Sequence, residues 1–306
     1  MLIGGVWLIA APRATQQPQA SPPQVRQALP GRPAAAAATS TTPIVGTPTA
    51  TPATIVVNTP TLATVTASIT PAPISNGANL LRLGATGTQS TIIGVMHDDG
   101  KNGDLVAGDG IYTFQVPFNE ATAGQIQLQV SAAFQGQLKR ITSNPITLRV
   151  WGVLFDPVTG LRSLYPPGLY NATDNNPPGD FILSSTPLGV NFGNTGSAPA
   201  LSATGFNITI LISQFNADTF DINQWLVTEY PGEEIGGLTP ITIGGQAAYE
   251  FQFVEGQGSG EPLTVVYHQG TIFQIAYSSS FDSGSTSEQA GLDTYSLVLN
   301  NISFSH

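Results

Sequence analysis

Apolar and polar residues alternate along much of this chain. From residue 63 to 69, Val65, Ala67 and Ile69 alternate with Thr and Ser. This is the period-2 pattern of a strand with one buried face. The signal returns at residues 80–83, 91–96, 111–118, 125–134, 138–142 and 146–150. It is clearest in the fifth run, where Ile126, Leu128, Val130, Ala132 and Phe134 alternate with Gln125, Gln127, Gln129 and Ser131. Gln135-Gly136-Gln137 then reads as a hairpin turn. Seven short strands over residues 63–150, with no helical period, predict an all-β sandwich.

Past residue 150 the rhythm changes. Residues 160–168, 181–184 and 206–212 read as strands. Phe220, Ile222, Trp225, Leu226 and Tyr230 then recur at helical spacing behind Asp218 and Asp221, both potential N-caps. Pro231-Gly232 ends that helix. Strands return at 239–243 and 246–254, and residues 263–267 and 271–277 form a hairpin across His268-Gln269-Gly270. Leu292, Tyr295, Val298 and Leu299 mark a second helix, and 302–304 a last strand. The order β-β-β-α-β-β-β-β-α-β predicts an α+β sandwich over residues 151–306, with helices on an antiparallel sheet.

Ahead of residue 63 there is no periodicity. Residues 12–62 are rich in Pro, Ala, Thr, Gln and Ser, with five alanines at 34–38 and Thr-Pro pairs at Thr42-Pro43, Thr47-Pro48, Thr51-Pro52 and Thr59-Pro60. Proline at this density opposes helices and paired strands, and the apolar content is low. The segment is expected to be a disordered, semi-rigid spacer. Residues 1–11 are apolar, as long as a signal-peptide core and too short to span a bilayer. A basic leader and a clean cleavage site are missing, which a start upstream of Met1 would explain. Together these segments predict an exported protein, extracellular or cell-surface associated, with no transmembrane span in the mature chain.

Composition narrows the function. Charged residues are only 9% of the 306, against about 25% in ordinary globular domains. There is no cysteine, which excludes a disulfide framework, a thiolate nucleophile and Cys-ligated zinc. All nine basic residues lie at or before Arg162, the last 144 residues hold thirteen acids and no Lys or Arg, and the net charge is −10. Nucleic-acid binding by counterion release is excluded on that balance. So is docking on an anionic membrane.

The acids of the first half concentrate in one place. Asp98, Asp99, Asp104 and Asp109 fall within twelve positions, interleaved with Gly100, Gly103, Gly108 and Gly110. The chain has no acid before Asp98, and the next after Asp109 is Glu120. Clustered carboxylates repel one another, and Ca2+ relieves that by taking six to eight oxygens from a wrapped, Gly-rich loop. Asp98, Asp104 and Asp109 are the candidate side-chain ligands, with Asn102 as a supporting oxygen. The loop is not an EF-hand, because Gly100 stands at the third position and strands flank it. The alternative is turn chemistry alone, since Asp-Gly and Asn-Gly form tight turns.

Residues 63–150 resemble a family of bacterial extracellular immunoglobulin-like domains. The likeness is carried by Asp98-Asp99-Gly100, Gly103-Asp104, Ala107-Gly108-Asp109-Gly110 and Tyr112-Thr113, which match a DDG-x-x-GD-x-x-AGDG-x-Y-T loop. It implies an immunoglobulin-like sandwich acting as spacer or binding module. Gly110-Ile111-Tyr112 also partly matches a tyrosine corner, in which a Tyr hydroxyl bonds back to upstream backbone.

Residues 155–305 resemble the PsbP-like superfamily, named for an extrinsic subunit of the photosynthetic oxygen-evolving complex. The residues carrying this are Leu164-Tyr165-Pro166-Pro167-Gly168, Gln224-Trp225-Leu226, the stretches 243–248 and 271–277, and the terminal 299–304. The resemblance implies a fold and transfers no functional residue.

No catalytic motif stands out. G-x-S-x-G, Walker, H-E-x-x-H and dinucleotide fingerprints are absent. Gly256-Gln257-Gly258-Ser259-Gly260 reads as a flexible loop. Of the three histidines, His97 adjoins the Asp loop, His268 is expected in a hairpin turn and His306 is terminal. The pairs Asp98-Asp99 and Glu233-Glu234 read as solvated turn charges, although glycoside chemistry also uses paired carboxyls. Tyr165, Trp225, Phe273 and Tyr277 read as core residues. Asn171, Asn207 and Asn301 begin sequons, which are moot in a bacterial chain. No catalytic and no cofactor-binding residue is expected. The sequence predicts a non-enzymatic structural or binding protein whose partner is an extracellular or cell-surface protein or polysaccharide. Two other classes are weighed: a ligand-binding or assembly-accessory protein using a pocket in the PsbP-like module, and a secreted hydrolase.

Overall fold

The alternating runs form strands whose apolar faces meet in layers, as half-buried strands must. The structure is a computed structural model and describes residues 42–87, 89–173, 179–187, 204–215, 219–254 and 260–305. Thr41–His306 form one compact unit. The first part holds β1 (Ile44–Val45), β2 (Thr49–Thr51), β3 (Thr54–Val56), β4 (Thr61–Thr70), β5 (Ala78–Leu83), β6 (Ser90–Val95), β7 (Ile111–Phe118), β8 (Gly124–Ala132), β9 (Ile141–Thr142) and β10 (Ile146–Phe155). β4 pairs with β1, β2 and β7 in one sheet, while β10, β8, β5 and β6 form the path of the other. The predicted alternation is observed: Ala63, Val65, Ala67 and Ile69 of β4 face Leu128, Val130 and Ala132 of β8 across a closed core. The run at 138–142 yields only the two-residue β9, which pairs with the end of β8.

The expectation of a disordered spacer over residues 12–62 fails from residue 44 onward. Residues 12–41 lie outside the described residues, as do the apolar residues 1–11. β1 and β2 pair antiparallel with β4, and β3 pairs parallel with β10. The prolines explain both the error and the fold. Pro43, Pro48, Pro52 and Pro60 fall before or between these strands, where no ladder N–H is needed. Few apolar residues are required because each is well used. Ile55 is 2% exposed in the core, and Val45, Ala50 and Val57 pack against it.

The predicted boundary between residues 150 and 151 also fails, because it falls inside a strand. β10 continues without a break from residue 146 to 155. Its first half pairs with β8 and β3, and its second half, Gly152 to Phe155, pairs with β11 (Leu161–Tyr165). One face of this strand serves two cores: Leu148 and Val150 belong to the first, Leu154 to the second. Gly152 lies between them on the same face. A Cβ there would sit 1.9 Å from Cζ of Tyr165, so the tyrosine ring lies directly over the glycine.

The second part is a seven-stranded antiparallel sheet ordered β12-β13-β14-β18-β17-β16-β15. Its strands are β12 (Tyr170–Thr173), β13 (Phe181–Ser184), β14 (Phe206–Gln214), β15 (Ile235–Ile243), β16 (Gln246–Phe253), β17 (Leu263–His268) and β18 (Thr271–Ser279). Helix α1 (Ile222–Glu229) is capped by Asp221, whose carboxylate accepts from the Asn223 and Gln224 N–H groups; Asp218 lies outside the described residues. α1 packs Ile222, Trp225 and Leu226 on one sheet face with Phe251, Leu263, Val265 and Ile272. Helix α2 (Thr286–Leu299) packs Tyr295, Val298 and Leu299 on the other face with Phe273, Ile275 and Tyr277, where β11 also contributes. The short β19 (Ser303–Phe304) pairs with β11. The α+β arrangement is therefore observed, with the edge of the shared sheet packed into it. Tyr165, Trp225, Phe273 and Tyr277 are all buried, as expected.

Candidate functional site

The Asp loop joins β6 to β7, and its geometry follows from its glycines. Gly100, Gly103, Gly108 and Gly110 have φ of 71°, 93°, 78° and 83°, and Asn102 has φ 51°. That left-handed region is open to Gly and tolerated by Asn. The turns fold the loop back on itself and bring Asp98, Asp104 and Asp109 together, each offering a carboxylate oxygen within 4.8 Å of the others. At a Ca2+–oxygen distance of about 2.4 Å, oxygens on opposite sides of one ion are about 4.8 Å apart. The spacing therefore fits a single Ca2+, with further oxygens required from backbone or water.

The same carboxylates also tie the turns. Asp98 accepts Gly108 N–H at 2.6 Å and Asp109 N–H at 3.2 Å on Oδ1, and Gly110 N–H at 2.9 Å on Oδ2. Asp104, 7% exposed, accepts Gly100 N–H at 2.6 Å. Asp109 accepts Ile111 N–H and Asp99 accepts Lys101 N–H. Asn102 supplies a left-handed turn residue. Turn chemistry is thus present, and the ion reading is compatible with it. At the loop tip Leu105 and Val106 are exposed, a feature the sequence reading did not single out.

His97 pairs through its backbone with Thr113, and its exposed side chain borders a cleft of about 220 Å³ together with Asp98, Asp99 and Tyr112. Burial, and then the Asp98 charge, raise the Tyr112 pKa above the ordinary phenol value. The partial tyrosine-corner expectation is not met, because the Tyr112 hydroxyl makes no hydrogen bond among the described residues. His268 also departs from expectation. It ends β17 and is 5% exposed, its ring stacked 4.8 Å from that of Phe304. Gln269 and Gly270 make the turn, both at positive φ. Glu233 and Glu234 are exposed, as expected of solvated turn charges. Gly260 is the only residue of 256–260 among those described, and His306 lies outside them.

A second concavity lies where the two cores adjoin. It is an open groove of about 440 Å³, between residues 57–58 and 121–123 on one side and Val153, Tyr165 and residues 169–171 on the other. Its first wall is pinned by backbone bonds from Val57 N–H to Trp151 O at 2.9 Å and from Asn58 N–H to Glu120 O at 2.8 Å. Asn58 has φ 53°. The Arg82 guanidinium grips both Glu120 oxygens, at 2.8 and 3.0 Å. This hydrogen-bonded pairing holds the Glu120 pKa below the usual carboxylate range. Sequence reasoning missed this groove, because its walls come from stretches about a hundred residues apart.

The solution structure of cyanobacterial PsbP (CyanoP) from Synechocystis sp. PCC 6803 is similar to this chain at 13% identity and a TM-score of 0.34, covering 51% of this chain and 92% of that one. A likeness of that size says nothing of function. No family model matches the chain, and no curated protein matches it. Among the described residues, no helix is long and apolar enough to cross a membrane.

Proposed function

We propose that this chain is an exported bacterial protein of the cell surface, non-catalytic, with an immunoglobulin-like module and a PsbP-like module held as one unit to present a binding face. The observation that carries this reading is β10, a single strand whose one face packs into both cores, Leu148 and Val150 into the first and Leu154 into the second. A junction made of ladder hydrogen bonds and packed cores holds two surfaces in fixed relation, as a scaffold requires. The low charge content and the apolar run at residues 1–11 support exposure outside the cell. Ca2+ at Asp98, Asp104 and Asp109, with Asn102 in support, fits the same setting, since extracellular Ca2+ is millimolar and weak sites of about 10⁻⁴ to 10⁻³ M suffice there. Surface proteolysis of intact source cells tests export. Removal of the chain by external protease, with a cytosolic marker spared, is expected. Survival of the chain until lysis would overturn the reading.

A further inference from the structure

We infer that the groove between the modules is a binding site for a neutral saccharide. This rests on the reading of the chain as a non-catalytic binding protein and names the ligand class. The groove has the size of a small-molecule site, about 440 Å³ against a usual range of about 300–1,000 Å³. None of its lining residues is charged. In a chain of net charge −10, such a patch offers an anion no counter-charge and a cation no carboxylate. The ligand is therefore uncharged.

The lining is divided in a way that matches a sugar. Val57, Val153 and Leu169 are partly buried and make an apolar floor. Tyr170, 48% exposed, presents a ring at the rim. Aromatic rings bind the C–H faces of pyranoses through the same apolar contact that drives other aromatic burial. Asn58, Thr122 and Asn171 are exposed around the groove, and their side chains make no hydrogen bond within the described residues. Two amides and a hydroxyl supply both donors and acceptors, as a ring of sugar hydroxyls demands. A purely apolar ligand would strip water from these groups and return no hydrogen bond.

The walls are also preorganised. Asn58 is held by its N–H bond to Glu120 O, and Glu120 by the Arg82 fork. Tyr170 begins β12, which is paired with β13. Because one wall belongs to each module and β10 fixes the modules, the groove needs no closing motion. A ligand entering it meets groups already in place, which limits the ordering cost of binding.

The test is calorimetric titration of the full chain with cellohexaose, maltohexaose and chitohexaose, beside hexagalacturonate as the acidic counterpart and a Gly/Ser/Asn hexapeptide as a neutral non-sugar. At least one neutral hexasaccharide is expected to bind with a Kd of about 1 mM or tighter. Tyr170→Ala is expected to weaken it about tenfold or more, and Asn171→Ala and Thr122→Val severalfold. Val227→Ala, on the exposed face of α1, is expected to change nothing. Circular dichroism melts confirm that each variant is folded. The proposal is overturned if no neutral hexasaccharide binds at about 10 mM, if Tyr170→Ala binds as wild type, or if hexagalacturonate or the peptide binds equally well. Chromatography of the recovered sugar separates the two readings: cleaved product leaves the site standing and overturns the non-catalytic assignment.

Discussion

At the scale of residues, single carboxylates set the behaviour of both concave regions. In the Asp loop, three carboxylates close enough to share an ion also accept the N–H groups of the turns. If Ca2+ binds the folded state alone, it stabilises by RT ln(1 + [L]/Kd), about 1.4 kcal/mol at a tenfold excess over Kd. For a unit this large that raises the melting temperature by a few degrees. The chain should melt a few degrees higher in several millimolar CaCl2 than in EDTA, and Asp104→Asn and Asp109→Asn should abolish the difference. MgCl2 should not reproduce it, given its stricter octahedral demand. Equal melting with and without Ca2+ would leave the loop as turn chemistry alone. Glu120 gives a pH signature. Its folded pKa lies below the ordinary carboxylate value because Arg82 bonds it. The ion pair therefore stabilises above that ordinary value and is lost as pH falls through the lowered one. In urea unfolding, Glu120→Gln should be less stable than wild type at pH 7, by about 1 kcal/mol or less for so exposed a pair. The gap should close in acid, once the pH has fallen below the ordinary carboxylate range.

At the scale of elements, β10 and its glycine decide the architecture. A side chain at Gly152 would overlap the Tyr165 ring, so overpacking should cost about 1–3 kcal/mol even for Gly152→Ala. Denaturant unfolding is expected to show this loss at both cores together, with one shared transition. The core strands and both helices were legible in the sequence because their signal is local: Ala63 to Ile69 alternate, and Trp225 and Leu226 share one side of a short helix behind its Asp221 cap. The extension of β10 was not legible. Val150, Trp151 and Val153 read equally well as the end of one run and the start of another, and only long-range pairing settles their conformation, with β3 at Val150 and Trp151 and with β11 at Val153. β1, β2 and β3 were hidden for the opposite reason. Their prolines read as a spacer, yet these lie outside the strands. The Asp loop was legible as a cluster because twelve contiguous residues hold it. The groove around Tyr170 was not, because it exists only through tertiary contact.

At the scale of the whole molecule, the folded unit begins earlier and divides less readily than the sequence pattern implies. Ile55 is a core residue, and Ile55→Ala should cost about 2–5 kcal/mol, measured by chemical denaturation. Trimming the chain to residue 42 should leave its melting temperature unchanged, whereas trimming to residue 58 removes β1, β2 and β3 and should lower it sharply. Cutting between residues 150 and 151 severs β10. Fragments 60–150 and 151–306 should each be poorly folded alone, while residues 42–306 melt in one transition. Two sharp independent transitions from the fragments would mean that the shared strand contributes little.

The continuity of β10 also determines how the molecule bears a load. A tether between two domains would stretch first, absorbing tension before either domain felt it. Here tension passing from one module to the other travels along a backbone whose neighbours, β8 and β3 on one half and β11 on the other, lie parallel or antiparallel to the pull. Their hydrogen bonds are loaded side by side, so they resist together and do not open one at a time. The junction is therefore the stiffest part of the path between the two modules.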